Sequence, residues 1–186
     1  STLSGNDIGG TWNDDDATGA LSVNFLDATL ISAGTYNFTY TVSGTACSNS
    51  AVTVAITIDE ISTDPSSLTP SNSNICAAGP VDFTVTGGSL GTGAQWELYS
   101  GSGTCGTTLE GTSLTGSFNG INVSATENYF VLATGNCNTT NCASTTVTLE
   151  TLSTDPSAAS ASNSSICSGD PVTLSVVGGS LGTGAT

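Results

Sequence analysis

The sequence predicts an all-β protein built from small β-sandwich domains, and three observations support this prediction. Runs of about five to eight residues alternate apolar and polar side chains, which is the pattern of strands with one buried face. Clusters of Gly, Asn, Ser and Asp interrupt these runs about every ten residues, as turns do in a sandwich. Long stretches with the apolar spacing of an amphipathic helix are absent from the sequence.

The alternating pattern is clearest between residues 81 and 149. The predicted strands there are VDFTV (81–85), AQWEL (94–98), FNGINV (118–123), YFVLA (129–133) and TTVTL (145–149). Trp96 falls about twenty residues after Cys76, where immunoglobulin-like domains bury a core tryptophan. Tyr129 follows an acidic turn at the start of the penultimate strand, which is the position of a tyrosine corner. We therefore expect both side chains in the core of an immunoglobulin-like sandwich.

The chain also repeats itself. Residues 61–95 match residues 152–186 at an offset of 91, with about 21 of 35 residues identical, and both copies contain the octapeptide GGSLGTGA. This period suits a whole small domain rather than a solenoid repeat. We predict tandem domains: 1–59, a sandwich without its N-terminal part; 60–150, a complete repeat; and 151–186, the first third of the next. The chain would then be an excerpt from an extended array, with the octapeptide as the loop before the tryptophan strand.

Charge and composition exclude several functions. The net charge is −15, and the sequence contains no Lys, Arg or His. Phosphate binding needs cations, so nucleic acid is excluded as a partner. A proton shuttle at neutral pH and a Schiff base are excluded by the lack of His and Lys. The carboxylates of the complete repeat are scattered along it, and no window of about 18 apolar residues is present. We expect neither an enzyme nor insertion of this segment into a membrane.

The six cysteines include no CxxC pair, which favours disulfides formed outside the cell over a zinc site. The complete repeat contains four of them, Cys76, Cys105, Cys137 and Cys142. CSNSAVTV from Cys47 lines up with CASTTVTL from Cys142, and the missing N-terminal part of the first unit would contain the counterpart of Cys76 as the partner of Cys47. This comparison favours the pairs Cys76–Cys142 and Cys105–Cys137. The competing scheme joins Cys76 to Cys105 and Cys137 to Cys142.

Two acidic clusters are candidate calcium sites, because close carboxylates without a cation repel each other and calcium prefers oxygen ligands. The first cluster is Asp14, Asp15 and Asp16. The second cluster lies at the junction between units and is Asp59, Glu60 and Asp64. The alternative interpretations are an Asp-rich hairpin turn and a solvated linker. No other cofactor is expected.

Two apolar features are candidate contact surfaces. Phe130 and Leu132 would point outward if Tyr129 and Val131 point inward, which suggests contact with another domain or chain. The alternative is that both faces of this central strand are covered. Trp12, beside the first acidic cluster, is either a core residue or a platform on which a sugar stacks.

The segment from Ile75 to Leu149 includes the strings ICxxxPV, GGSLGTGAxW and NYFVxATGxCNTTxCASTTVTL. It resembles the immunoglobulin-like repeats of giant cell-surface proteins from Bacteroidetes, the SprB-type gliding adhesins and related type IX secretion substrates. The opening segment GGTWNDDDATGALS resembles a module that commonly alternates with these repeats. The resemblance implies secretion to the outer surface, a filamentous array, and a role in attachment or gliding motility.

The sequence thus predicts a structural stalk or spacer in a filamentous cell-surface adhesin. Its expected partners are neighbouring repeats of the same chain, with other surface proteins, external surfaces or glycans as further partners. Two other hypotheses remain open at this point. One is a calcium-assisted module that binds carbohydrate or another surface, and the other is a filament subunit that self-associates.

Overall fold

The computed structural model describes residues 9–44 and 48–186. Within these ranges the chain is all-β, with strands in several sheets and one short 3-10 turn, an arrangement consistent with β-sandwiches. None of the helical structure described there is long and apolar enough to cross a membrane. The chain divides into two compact units. The first runs up to Thr63 and includes Ser89–Gln95 and Ala133–Thr140, and the second contains the remainder. The predicted domain boundaries stay predictions.

The first unit is built on one antiparallel sheet. Its strands in chain order are β1 (Gly10–Asp14), β2 (Leu21–Ser22), β3 (Phe25–Leu26), β4 (Gly34–Val42) and β5 (Ser50–Ile58). The sheet has the order β1-β4-β5, and β2 and β3 form a separate short hairpin. Ala20, Leu26 and Phe38 form a buried core cluster in this unit. Phe38 is fully buried in the middle of β4, where aromatic and polar residues alternate as the period of a half-buried strand requires.

Most of the second unit between residues 67 and 149 forms two further sheets. The strands are β6 (Ser67–Pro70), β7 (Asn74–Ile75), β8 (Gly79–Thr86), β9 (Gln95–Ser100), β10 (Thr108–Ser113), β11 (Ser117–Val123), β12 (Glu127–Thr134) and β13 (Ala143–Leu149). One sheet has the order β10-β9-β12-β13-β7 and the other β11-β8-β6. Phe83 of β8 packs on Tyr129 of β12 with ring centroids 4.6 Å apart, so the two sheets face each other across a core. Trp96 and Tyr129 are both buried there, as predicted.

The last described strands are β14 (Thr154–Ala161) and β15 (Leu174–Ser180), which pair as an antiparallel hairpin. Their residues are exposed throughout. Leu174 is the counterpart of Phe83 at the offset of 91; it is 77% exposed, whereas Phe83 is fully buried. The hairpin therefore has the strand pairing of a repeat without a second sheet over its apolar side chains.

The predicted disulfide pairings are wrong. The structure joins Cys105 to Cys142, with the two Cα atoms 5.8 Å apart, and Cys76, Cys137 and Cys167 are exposed thiols. Cys76 cannot reach Cys142 because it follows β7, which pairs in parallel with the last residues of β13, while Cys142 precedes the first. The seven residues of β13 separate the two sulfurs by about 20 Å. Cys47, used in the sequence comparison, lies outside the described residues.

The predicted exposed pair on β12 is wrong for Phe130. Phe130 is only 9% exposed and Leu132 is half-buried. A Cβ atom at Gly106 would lie 3.1 Å from the Phe130 ring, so the loop between β9 and β10 crosses over this ring. The Cys105–Cys142 disulfide fixes that loop to the start of β13. Both faces of the central strand β12 are therefore covered at Phe130, which was the alternative interpretation.

Candidate functional site

The first acidic cluster forms the turn that follows β1, and its carboxylates bind separate donors. Asp14 Oδ2 accepts hydrogen bonds from Thr18 Oγ1 at 2.8 Å and from the Gly19 amide at 2.9 Å. Asp15 Oδ2 accepts from Thr39 Oγ1 at 2.6 Å. Asp16 Oδ2 accepts from the amide of Asn37, also at 2.6 Å. The three side chains thus tie the turn to itself and to strand β4.

Two polar atoms beside this turn have no hydrogen-bond partner among the described residues. They are Asp14 Oδ1 and Trp12 Nε1, and both atoms are buried. Desolvation raises the pKa of Asp14, but hydrogen bonds from Thr18, Gly19 and Asp16 together lower it by more. The pKa of Asp14 therefore lies below its ordinary value of 3.8. Trp12 itself is half-buried and packs on Tyr40 with ring centroids 5.1 Å apart. The indole therefore belongs to the apolar face of β1 and β4.

Within residues 9–44 and 48–186, no three Asp, Glu or Cys side chains are arranged to hold a metal ion. At the second acidic cluster, Asp64 accepts hydrogen bonds from both the amide and the side chain of Asn141, at 3.0 and 2.8 Å. Glu60 is held through its backbone rather than its carboxylate. Calcium at Asp14, Asp15 and Asp16, or at the junction, stays a prediction.

Residues 60–63, at the predicted junction, are held by several hydrogen bonds, and we call them the linker segment. Its partner is the octapeptide loop, residues 87–94, between β8 and β9. The Glu60 amide donates to Thr92 Oγ1 at 2.9 Å, and the Thr92 amide donates back to the Glu60 carbonyl at 3.0 Å. The Gly91 amide donates to Ser62 Oγ at 3.0 Å. The linker segment is therefore bound by backbone and side-chain hydrogen bonds together.

Two further contacts complete this binding. Thr63 pairs with Ser89 as an isolated β-bridge, and their hydroxyls lie 2.9 Å apart. Asn138 binds Ser62 through both backbone groups: its Nδ2 donates to the Ser62 carbonyl at 2.9 Å, and its Oδ1 accepts from the Ser62 amide at 2.8 Å. Ser62 is consequently 5% exposed and fully hydrogen bonded.

The second copy of the octapeptide makes the same bonds to the segment at residues 151–154. Each of these pairs is displaced by 91 positions, and the distances are 2.8 to 3.0 Å. One contact is additional in the second copy: the hydroxyls of Thr151 and Thr183 lie 2.8 Å apart, whereas Glu60 has no hydroxyl. The bonded pairs are Thr151 with Thr183, Ser153 with Gly182, and Thr154 with Ser180. The octapeptide was predicted as the loop before the tryptophan strand, and it lies there. That it binds the linker segment was not predicted, although STDP is repeated at 62–65 and 153–156 with the same offset.

No protein-family model matches this chain. No curated protein matches it either.

Proposed function

We propose that this chain is part of an extended tandem array of immunoglobulin-like sandwiches, which serves as a stalk or spacer in a filamentous cell-surface adhesin. The observation that carries the proposal is the recurrence of one set of linker-to-loop hydrogen bonds at an offset of 91 residues. A chain that repeats both a strand hairpin and the attachment of the segment before it is suited to extend by repetition. Attachment or gliding motility is the proposed use of such a stalk.

The disulfide and the net charge of the chain support a position outside the cell. The Cys105–Cys142 disulfide is stable in an oxidising compartment and is rare in the cytosol. The net charge of −15 without any cation keeps such a chain soluble and repels other copies at low ionic strength. Neighbouring repeats of the same chain are the first proposed partners, and other surface proteins or glycans follow.

Small-angle scattering tests the stalk. The maximum dimension of this chain is compared with that of longer versions carrying one and two further copies of residues 60–150. A stalk gives a dimension that increases by the same amount with each added copy. A dimension that grows only as the cube root of chain length would mean that the repeats collapse on each other, and would contradict the proposal.

A second function, calcium-assisted binding of a carbohydrate or another surface, is favoured by one observation. Asp14 Oδ1 and Trp12 Nε1 are buried atoms without a hydrogen-bond partner among the described residues, as expected where a ligand is to be bound. Thermal melting with calcium and with chelator tests it. A calcium-dependent rise in Tm that disappears in Asp14→Asn, and persists in Asp170→Asn, would favour this function. An unchanged Tm at millimolar calcium would leave it without support.

A further inference from the structure

The linker segment is bound to the repeat that follows it. Two of its residues are the same in both copies, and the side chains of these two residues contact the loop. Ser62 and Thr63, whose hydroxyls are bonded, recur as Ser153 and Thr154. Ile61 points outward, is 61% exposed, and is replaced by Leu152 in the next copy. The repeated Ser and Thr are therefore bonded to the octapeptide loop through their side chains in both copies.

The first position of the segment keeps its backbone bonds although its residue changes. Glu60 and its counterpart Thr151 are both bonded to the loop through their backbone amide and carbonyl groups. In the second copy the Thr151 hydroxyl also lies 2.8 Å from that of Thr183, a contact that Glu60 does not make. The two backbone bonds do not depend on the side chain, so they persist when this position varies.

Gly91 shows how closely the two segments approach. A Cβ atom at Gly91 would lie 2.2 Å from the Glu60 carbonyl oxygen, and at Gly182 a Cβ atom would lie 2.2 Å from that of Thr151. No real Cβ atom tolerates such a contact with backbone, so any other residue displaces the linker segment. The glycine at this position is required by the bound segment.

The binding leaves very little unattached chain between the linker segment and the strand that precedes it. Strand β5 ends at Ile58 and the linker segment begins at Glu60, so only Asp59 intervenes. Strand β13 ends at Leu149 and the next segment begins at Thr151, so only Glu150 intervenes, and its amide donates to the Ile75 carbonyl at 2.7 Å. A single residue between two hydrogen-bonded elements restricts the connection far more than an unbound linker between the strands would.

We infer that the octapeptide loop is an internal docking site for the preceding linker, and that this docking stiffens each junction of the array by reducing the free connection to one residue. The docking itself is independent of what the array does, whereas its value as a stiffening device rests on the proposed stalk function.

Hydrogen exchange on the whole chain tests the docking. In the unmodified chain the amides of Glu60, Thr63 and Thr92 exchange slowly, because each is hydrogen bonded between the segment and the loop. Gly91→Ala is expected to accelerate their exchange at least tenfold while the core amides of β8 and β12 keep their rates. The matched control is Gly79→Ala, since a Cβ atom at Gly79 meets nothing within 4 Å.

A milder variant covers the case in which Gly91→Ala perturbs the whole fold. Thr92→Val keeps the side-chain shape and removes only the acceptor of the Glu60 amide, so exchange at Glu60 is expected to rise severalfold. A glutamate-specific protease should then cut after Glu60 faster in both variants than in the unmodified chain. Thr112→Val, on the exposed face of β10, is the control.

Two outcomes would overturn the inference. One is fast exchange of the Glu60 and Thr63 amides in the unmodified chain, and the other is unchanged exchange and cleavage in Gly91→Ala and Thr92→Val. Small-angle scattering distinguishes a wrong docking inference from a wrong stalk function. Slow exchange in an array that collapses would contradict the stalk function and leave the docking intact. Fast exchange in an extended array would contradict the docking alone.

Discussion

Asn138 holds Ser62 by both of its backbone groups, with bonds of 2.8 and 2.9 Å between residues 76 positions apart in the sequence. The amide and carbonyl of a residue that is 5% exposed are thus satisfied by one side chain. A side-chain amide can do this because it carries a donor and an acceptor side by side, as a neighbouring strand would. This bond extends the binding of the linker segment beyond the octapeptide loop.

Replacing Asn138 with Ala should therefore be costly. Two buried backbone groups lose their partner, at about 1–3 kcal/mol for an unsatisfied group that water reaches poorly. For a repeat of this size each kcal/mol lowers Tm by about 4–8 °C. Thermal melting measures the change, with Asn136→Ala as the control, because Asn136 is exposed. Equal melting temperatures for the two variants would show that the Asn138 bonds contribute nothing to stability.

The Cys105–Cys142 bridge closes a loop with a sequence separation of 37 residues. Removing it with Cys105→Ser should lower the free energy of unfolding by about 3–4 kcal/mol, because the unfolded chain gains freedom. Denaturant unfolding of oxidised protein gives the value. Cys137→Ser replaces an exposed thiol and should change stability by less than about 0.5 kcal/mol. A large loss in Cys137→Ser would favour the pairing with Cys105 predicted from the sequence.

Phe130 should behave as a core residue, although its strand position predicted exposure. Phe130→Ala removes a ring that is 9% exposed beneath the disulfide-bound loop and should destabilise the repeat by about 3 kcal/mol. Leu114→Ala, at a position 75% exposed, should change stability by less than about 0.5 kcal/mol. Denaturant unfolding compares the two. A loss of self-association in Phe130→Ala with unchanged stability would instead restore the exposed-surface hypothesis.

The lowered pKa of Asp14 makes the first unit sensitive to acid. A carboxyl group whose pKa is lower in the folded state than in the unfolded chain stabilises the fold above the unfolded value, here 3.8. That contribution is lost as pH falls through the still lower folded value. Unfolding of the first unit, followed by Trp12 fluorescence in a Trp96→Phe background, should therefore become easier below about pH 4. Asp14→Asn should reduce this dependence on pH, and an unaltered dependence would show that other groups cause it.

The strands that the sequence predicted between residues 81 and 149 correspond to β8, β9, β11, β12 and β13. Alternation is strong in β8 and β9 because one face of each strand forms the core, as Phe83 and Trp96 do. Strands β6, β7 and β10 were not predicted. β7 has two residues, β6 ends at Pro70, and β10 leaves Leu109 50% exposed, so none of them carries a clear period of two.

The candidate site lies mostly in loops, whose paths the alternation of apolar and polar residues does not encode. Exposure of Phe130 and the partner of Cys142 are both set by the path of the loop between β9 and β10. Its glycines adopt positive φ angles, as at Gly101 (107°) and Gly106 (78°), so no side-chain period encodes that path. The sequence contains a signal for the contact between the octapeptide and the linker segment. Both segments repeat at the same offset of 91 residues, which makes them candidates for contact with each other.

The bound linker segment also bears on how such a chain changes length by duplication. A recombination breakpoint at Asp59 or Glu150 transfers a loop together with the segment that it binds. A breakpoint between Thr63 and Gly87 separates them and joins a loop to a segment from another copy, which is tolerated only when that segment also presents Ser and Thr at the bonded positions. Repeats that keep SerThr and GGSLGTGA therefore remain interchangeable, and copies can be gained or lost without a mismatched junction.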